Sequence, residues 1–306
     1  MKGDVNVQVK KFMRTVGGKE VDIYLTLLYY SLDNITQFIY GAAGETNALL
    51  DPKDRIMLND QLDPRSTKLA WFAKHARWYV LWLAKQSGTT EQILKTLGMY
   101  PQQKPFIYSG IRDHALASYY RFKNNQLADN TIISRLMKFG LDDLDIASEC
   151  ADHFLAGINT TTDTLTFLIW ALSRSENKHR QERLREELLN AGLDSTPTPK
   201  AVTAAHVPYM DAIINEVLRV WGPLTSTQPR IYSKDCEIDG YFIPAGTIVS
   251  CQGYTFHRNP EIFPDPDTFL PERWLTDDPK LKQWWWAFST GGRMCIGIQY
   301  VPLYFL

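Results

Sequence analysis

Residues 287–300 read AFSTGGRMCIGIQY. Phe288, the adjacent Gly291 and Gly292, Arg293, Cys295 and Gly297 crowd into ten positions. The run is too glycine-rich for a core strand and too apolar for an ordinary surface turn. A lone cysteine reads first as a buried inert residue, because free cysteine is among the most buried residue types. Its surroundings point elsewhere. Glycines let the backbone turn sharply and approach a flat ligand. Loop amides can turn toward a sulfur and moderate its charge, which tunes a thiolate-bound metal. Arg293, two residues from the thiol, offers a fixed cation to an anionic group on such a ligand. Cys295 is therefore the candidate metal ligand.

Composition bounds what can surround that loop. The chain has 306 residues, a formal charge of −1 and 44% hydrophobic content, ordinary for a globular protein with a sizeable core. The near-neutral balance gives no electrostatic reason to expect nucleic acid. Cys150, Cys236, Cys251 and Cys295 stand far apart with no CxxC pair, which argues against a zinc site or a disulfide framework and suits a reducing compartment. The first twenty residues hold no apolar core of a signal peptide. The most hydrophobic stretch, TLTFLIWAL (164–172), is too short to span a bilayer, so no membrane span is expected.

Along the chain no repeat and no second-domain boundary is visible, and the first two thirds read as helices. VDIYLTLLYYSLDNITQFIYG (21–41) has helical spacing and stops at Gly41. A helical region over 55–86 breaks near Asp63-Pro64, and helices follow over 108–125 and 131–139. A long helix runs from about Leu141 to Arg174, about 50 Å at 1.5 Å per residue. A charged surface helix, ENKHRQERLREELLNAG, ends with Gly192 as its cap. YMDAIINEVLRVW (209–221) is apolar on most sides and reads as buried. After Gly222-Pro223, short β-type runs alternate with Asp-Gly and Pro-Ala-Gly turns. HRNPEIFPDPDTFLPERW then reads as a meandering ordered loop, and Trp284, Trp285 and Trp286 as packing for the cysteine loop. The expected fold class is mainly α with a small β region.

The order Phe288-x-x-Gly291-x-Arg293-x-Cys295-x-Gly297 resembles the haem-binding signature of the cytochrome P450 family, in which the cysteine thiolate is the proximal ligand of haem iron and the arginine pairs with a propionate. The long helix adds AGINTTTDT (156–164), similar to the family's distal-helix groove. Ala156 and Gly157 remove side-chain bulk, so a ligand could lie against the backbone there, and Thr160 matches the threonine that helps deliver protons. The family usually has an acid before that threonine. Here Asn159 stands in its place, and an amide donates a hydrogen bond without relaying a proton as a carboxylate does. Glu216 and Arg219, three apart among apolar neighbours, resemble the family's Glu-Arg pair. Together with Arg273 of PERW they imply a three-way structural charge network. Arg230 resembles a second propionate-binding arginine, although a plain surface arginine on a strand fits it equally.

The resemblance implies haem b with an axial thiolate, NADPH-cytochrome P450 reductase as electron source, and oxidation of a lipophilic small molecule with O2. It is strongest to microsomal members from filamentous fungi, often active in secondary metabolism. It also implies a partial domain over 1–306, from about the family's helix E to just past the cysteine loop. The N-terminal anchor, helices and strands and the C-terminal helix and strands would be missing. Full-length members sit on the cytosolic face of the endoplasmic reticulum membrane, and a chain without the anchor would be cytosolic or peripheral. Pro302, soon after the loop, would break a following helix. Loss of neighbouring core surface, at about 25 cal/mol per Å2, leads to an expectation of low stability. The alternative is a catalytically inactive remnant. A haem-free binder of hydrophobic molecules leaves Cys295, Gly291 and Gly297 without a purpose.

Overall fold

The computed structural model describes residues 2–58, 77–98, 109–125, 130–191 and 207–299. Gly192, Pro302 and the expected break at Asp63-Pro64 lie outside these residues. The protein is mostly helical with small antiparallel sheets. Two compact units divide it, one holding residues 11–21 and 28–158, the other residues 2–10, 22–27 and 159–306.

In the first unit, α2 (Ile23–Tyr40) contributes its residues from Leu28 onward, and Leu28, Leu32, Ile35 and Ile39 are buried. Asp33, fully buried on the same helix, accepts hydrogen bonds from the Thr46 hydroxyl and from the amides of Ala48 and Leu49. One carboxylate thereby satisfies the donors of the turn that follows the helix. Tyr40, His114 of α6 (Ser109–Asn125) and Phe154 form a three-ring cluster with centroids 5.4 to 6.1 Å apart. Among the described residues, three short helices lie between α2 and α6, namely α3 (Pro52–Arg55), α4 (Arg77–Lys85) and α5 (Thr89–Thr96). After α6 comes α7 (Ile132–Leu136), capped by the Thr131 hydroxyl.

The long helix predicted over 141–174 is α8 (Asp143–Ser173), 31 residues. The Asp142 carboxylate accepts from the Asp145 amide and caps its start. An earlier helix, α1 (Lys2–Val16), was not anticipated. Val9, Phe12, Met13 and Val16 do recur at helical spacing, a signal hidden by the polar residues around them.

The second unit is built on α9 (Lys178–Asn190) and α10 (Pro208–Trp221). Ala191 occupies the C-cap position of α9. In α10, Pro208 opens the first turn, where a missing N–H costs nothing, and ten of the residues behind it are buried. Four short strands follow: β1 (Gln228–Ile231), β2 (Cys236–Ile238), β3 (Tyr241–Ile243) and β4 (Ile248–Cys251). β1 pairs antiparallel with β4, Arg230 opposite Val249, and β2 pairs antiparallel with β3. The β2–β3 turn is Asp239-Gly240, both at positive φ (50° and 80°), the backbone a two-residue hairpin demands. Beyond them lie α11 (Gly253–Phe256), a 3-10 turn at Pro271–Leu275 and α12 (Pro279–Trp284).

Candidate active site

Glu216 on α10 organises the surroundings of the site. Its Oε1 accepts from Arg219 Nη2 (2.8 Å), Arg273 Nε (3.1 Å) and the Leu270 amide (2.8 Å). Its Oε2 accepts from Arg219 Nε (2.9 Å) and Trp274 Nε1 (2.8 Å). The Glu216 and Arg219 side chains are both fully buried. A buried pair of charges persists only when further hydrogen bonds satisfy both groups, and here they do. Arg219 Nη1 donates to the carbonyls of His257 and Pro266, and its Nη2 to that of Thr268. Arg273 Nη1 reaches Pro264 O. Two guanidinium groups thus hold the proline-rich segment 257–268 against α10. The three residues that the sequence grouped are in direct contact, and Trp274 and His257 join them unforeseen.

His257 is buried on the same network. Its Nδ1 lies 3.2 Å from Arg219 O, and its Nε2 lies 2.8 Å from the Trp286 amide. Burial first, and then the neighbouring Arg219 and Arg258 cations, push its pKa down to about 4 against the pull of the Arg219 carbonyl and Glu216. The tryptophan run packs as expected. Trp284 and Trp286 meet Phe256, and Trp285 sits edge-on to Trp274 and Phe288, with centroids 5.6 to 6.0 Å apart across the four contacts.

The cysteine loop rises from this base. The Ser289 amide bonds to Trp286 O (3.1 Å), and Ser289 takes a positive φ of 59°. Gly291 also has positive φ (72°), which opens a 3-10 turn over Gly291–Arg293. The Cys295 amide then returns to Phe288 O (2.9 Å) and closes the loop. Residues 290–296 are exposed, Cys295 and Arg293 among them. A Cβ at Gly291 or Gly292 would meet nothing within 4 Å, and one at Gly297 would lie 3.5 Å from Cys295 Sγ. The amides of Met294, Cys295 and Ile298 bond to the carbonyl oxygens of Gly291, Phe288 and Cys295.

The other candidates are placed as follows. Phe288 is half-buried against Trp285. Arg230 is exposed on β1, donating to Pro229 O. On α8, Ala156 is exposed, while Asn159 and Thr160 are half-buried. Gly157 departs from its expected role. The space beside it is filled by Ile35, whose Cδ1 and Cγ1 lie 2.6 and 2.7 Å from where a Cβ would be, so this glycine serves helix packing instead of leaving room for a ligand. Of the threonines, Thr162 points its hydroxyl at Leu27 O, while Thr164 and Thr166 bond back to the carbonyls of Thr160 and Thr162. Asp163, one turn beyond Thr160, is a half-buried carboxyl that burial pushes above the usual range despite its hydrogen bond with Tyr24.

The residues of the loop fit a thiolate-bound haem. Cys295 offers a solvent-facing thiol, and the side chains that could cover it are replaced by hydrogen at Gly291, Gly292 and Gly297. Arg293 makes no ion pair or hydrogen bond among the described residues and is available to an anionic group. Cys150, by contrast, is fully buried with its thiol pushed up to about 12, and cannot serve as a thiolate near neutral pH.

Comparison with known proteins gives the family. The cytochrome P450 family profile matches residues 2–299. Cytochrome P450 monooxygenase orf2 of Aspergillus niger is 28% identical over 90% of this chain and 54% of its own length. Cytochrome P450 3A1 of Rattus norvegicus is 27% identical over 97% of this chain and 59% of its own. Cytochrome P450 monooxygenase claJ of Penicillium crustosum is 38% identical over 47% of this chain and 34% of its own. The chain therefore spans between half and three fifths of the length of the first two. With a profile match over nearly every residue, this chain belongs to the cytochrome P450 family.

Proposed function

We propose that this chain is the thiol-bearing part of a haem-thiolate monooxygenase that oxidises a lipophilic small molecule. The family implies a haem cofactor, generally used with a redox partner and a small-molecule substrate. Haem b bound through a thiolate supplies activation of O2 and insertion of one oxygen atom into a carbon–hydrogen or carbon–carbon double bond.

The observation that carries the reading is the exposed Cys295 thiol, presented by a loop whose root is fastened to the Glu216 network. Cys295 would hold the iron through its thiolate, and Arg293, with Arg230 as a second cation, would hold the propionates. Phe288 packs the loop from below. Gly291 supplies the positive-φ turn, and Gly297 keeps the space beside the sulfur open. On α8, Ala156 would leave the helix surface free of bulk, and Thr160 would hold a proton at its hydroxyl with Asn159 as hydrogen-bond donor. Asp163, three residues on, is an acid on the same helix face as Thr160 by helical spacing. Glu216, Arg219 and Arg273 are structural.

Electrons from NADPH-cytochrome P450 reductase, a substrate from secondary metabolism and a place on the cytosolic face of the endoplasmic reticulum belong to this proposal and rest on the resemblance. So does the reading of residues 1–306 as a partial domain. Among the described residues no helix is long and apolar enough to cross a membrane.

The test is the spectrum of reduced protein under carbon monoxide after haem reconstitution. A red-shifted Soret band that disappears in Cys295→Ser supports the proposal. A wild-type chain with no haem absorbance supports the alternative, a catalytically inactive remnant.

A further inference from the structure

Resting on the haem-thiolate reading above, we propose that His257 is a positioning residue for the metal ligand. Its imidazole fastens the segment leading into the Cys295 loop to the helix that carries Glu216 and Arg219.

The two ring nitrogens have fixed and different tasks. The partner of Nε2 is the Trp286 amide, which can only donate, so Nε2 carries no proton. The partner of Nδ1 is the Arg219 carbonyl, which can only accept, so the proton sits on Nδ1. The backbone of the same residue is held as well, since its carbonyl accepts from Arg219 Nη1 at 2.8 Å. Arg219 thus grips residue 257 by its side chain and its carbonyl, and only 4% of the histidine is exposed. Burial and the nearby cations Arg219 and Arg258 favour the neutral ring, with Glu216 the opposing charge.

From Trp286 the constraint passes to the thiol in short steps. The Ser289 amide bonds to Trp286 O, and the Cys295 amide bonds to Phe288 O, which lies inside that turn. Residues 290–296 face solvent on the far side, so the orientation of Cys295 depends on what is fixed at the root of the loop. Trp286 is the point in that root where an amide meets a buried side chain. A histidine suits the position because one planar ring offers an acceptor to one backbone and a donor to another, with the two nitrogens on opposite edges.

Two conservative variants separate the bonds. Asparagine at 257 places an amide near Nδ1 and keeps the bond to Arg219 O, but it falls short of Trp286. Glutamine extends an oxygen to about the position of Nε2 and keeps the bond to the Trp286 amide. Hydrogen exchange on the full chain without haem is measured first. His257→Asn is expected to speed exchange of the Trp286, Ser289 and Cys295 amides about tenfold while the α10 amides stay as in wild type, the loss of one buried hydrogen bond. His257→Gln is expected to stay close to wild type. Unchanged exchange at Trp286 in His257→Asn overturns the proposal, and so does equal loss of protection across α10, which would make the histidine a general packing residue. With haem added, His257→Asn is expected to shift the reduced carbon monoxide band from the thiolate position toward shorter wavelength, with rescue in His257→Gln. A haem-bound His257→Asn that keeps the thiolate band overturns the proposal. If wild type binds no haem, the function proposed above fails, and the exchange measurement still decides whether His257 holds the loop.

Discussion

Replacing Glu216 by glutamine preserves shape and removes one charge. The carboxylate accepts five hydrogen bonds, three at Oε1 and two at Oε2. A glutamine has one accepting oxygen. Its better orientation leaves that oxygen with Arg219 Nη2, Arg273 Nε and the Leu270 amide. The new NH2 group then faces Arg219 Nε and Trp274 Nε1, donor against donor. Two buried donors lose their acceptor at about 1–3 kcal/mol each, and two guanidinium groups lose their counter-charge. Breaking a buried pair by removing one partner costs about 3–5 kcal/mol, the same range. Urea titration followed by tryptophan fluorescence measures it, because Trp274 and Trp285 pack directly on the network. With a slope near 2 kcal/mol per molar, the midpoint is expected to fall by about 2 M. Glu182→Gln is the control. It removes an acid with the same spacing to an arginine, but at an exposed site whose cation, Lys178, stands 3.9 Å away. Its midpoint should barely move. A Glu216→Gln shift below about 0.5 M, or one equal to that of the control, would refute the assignment of this carboxylate as the centre of the unit.

Gly157→Ala should destabilise, since overpacking at about 1–3 kcal/mol exceeds the helix-propensity gain of about 1 kcal/mol. Combined with Ile35→Ala the two losses should fall short of additivity by at least about 0.5 kcal/mol in thermal denaturation, and strict additivity would mean that Ile35 does not occupy that space. His257 gives a pH dependence whose sign is fixed. Its folded pKa of about 4 lies below the unfolded value near 6.5, so the unfolded chain binds the proton more readily between them. Its contribution, about 3 kcal/mol, is therefore full above pH 6.5 and lost as the pH falls toward 4. Urea midpoints measured across that window should fall in wild type and lose this component in His257→Gln.

How much was legible depends on how local each signal is. The sharp turn of the cysteine loop at Gly291 was readable because its backbone demands fall within ten consecutive residues. The β2–β3 hairpin was readable from Asp239-Gly240 for the same reason. Helix α8 showed its extent through a long run of helical spacing, and the structure moved its ends by a residue or two. Helix α1 was missed because its apolar stripe is thin. Gly157 was misread because sequence shows that room exists but not what fills it, and Ile35 lies more than a hundred residues away.

Sequence alone determined the chemistry available, a thiol, a neighbouring cation and a turn that only glycine enters easily, because these are properties of residue type and short-range backbone sterics. Tertiary structure decided which groups meet. Nothing in the order of residues links His257 to Trp286, or Trp274 and Leu270 to the carboxylate of Glu216. Those bonds exist because buried polar groups must find partners, and the partners within reach are set only when the segment 257–275 folds back onto α10.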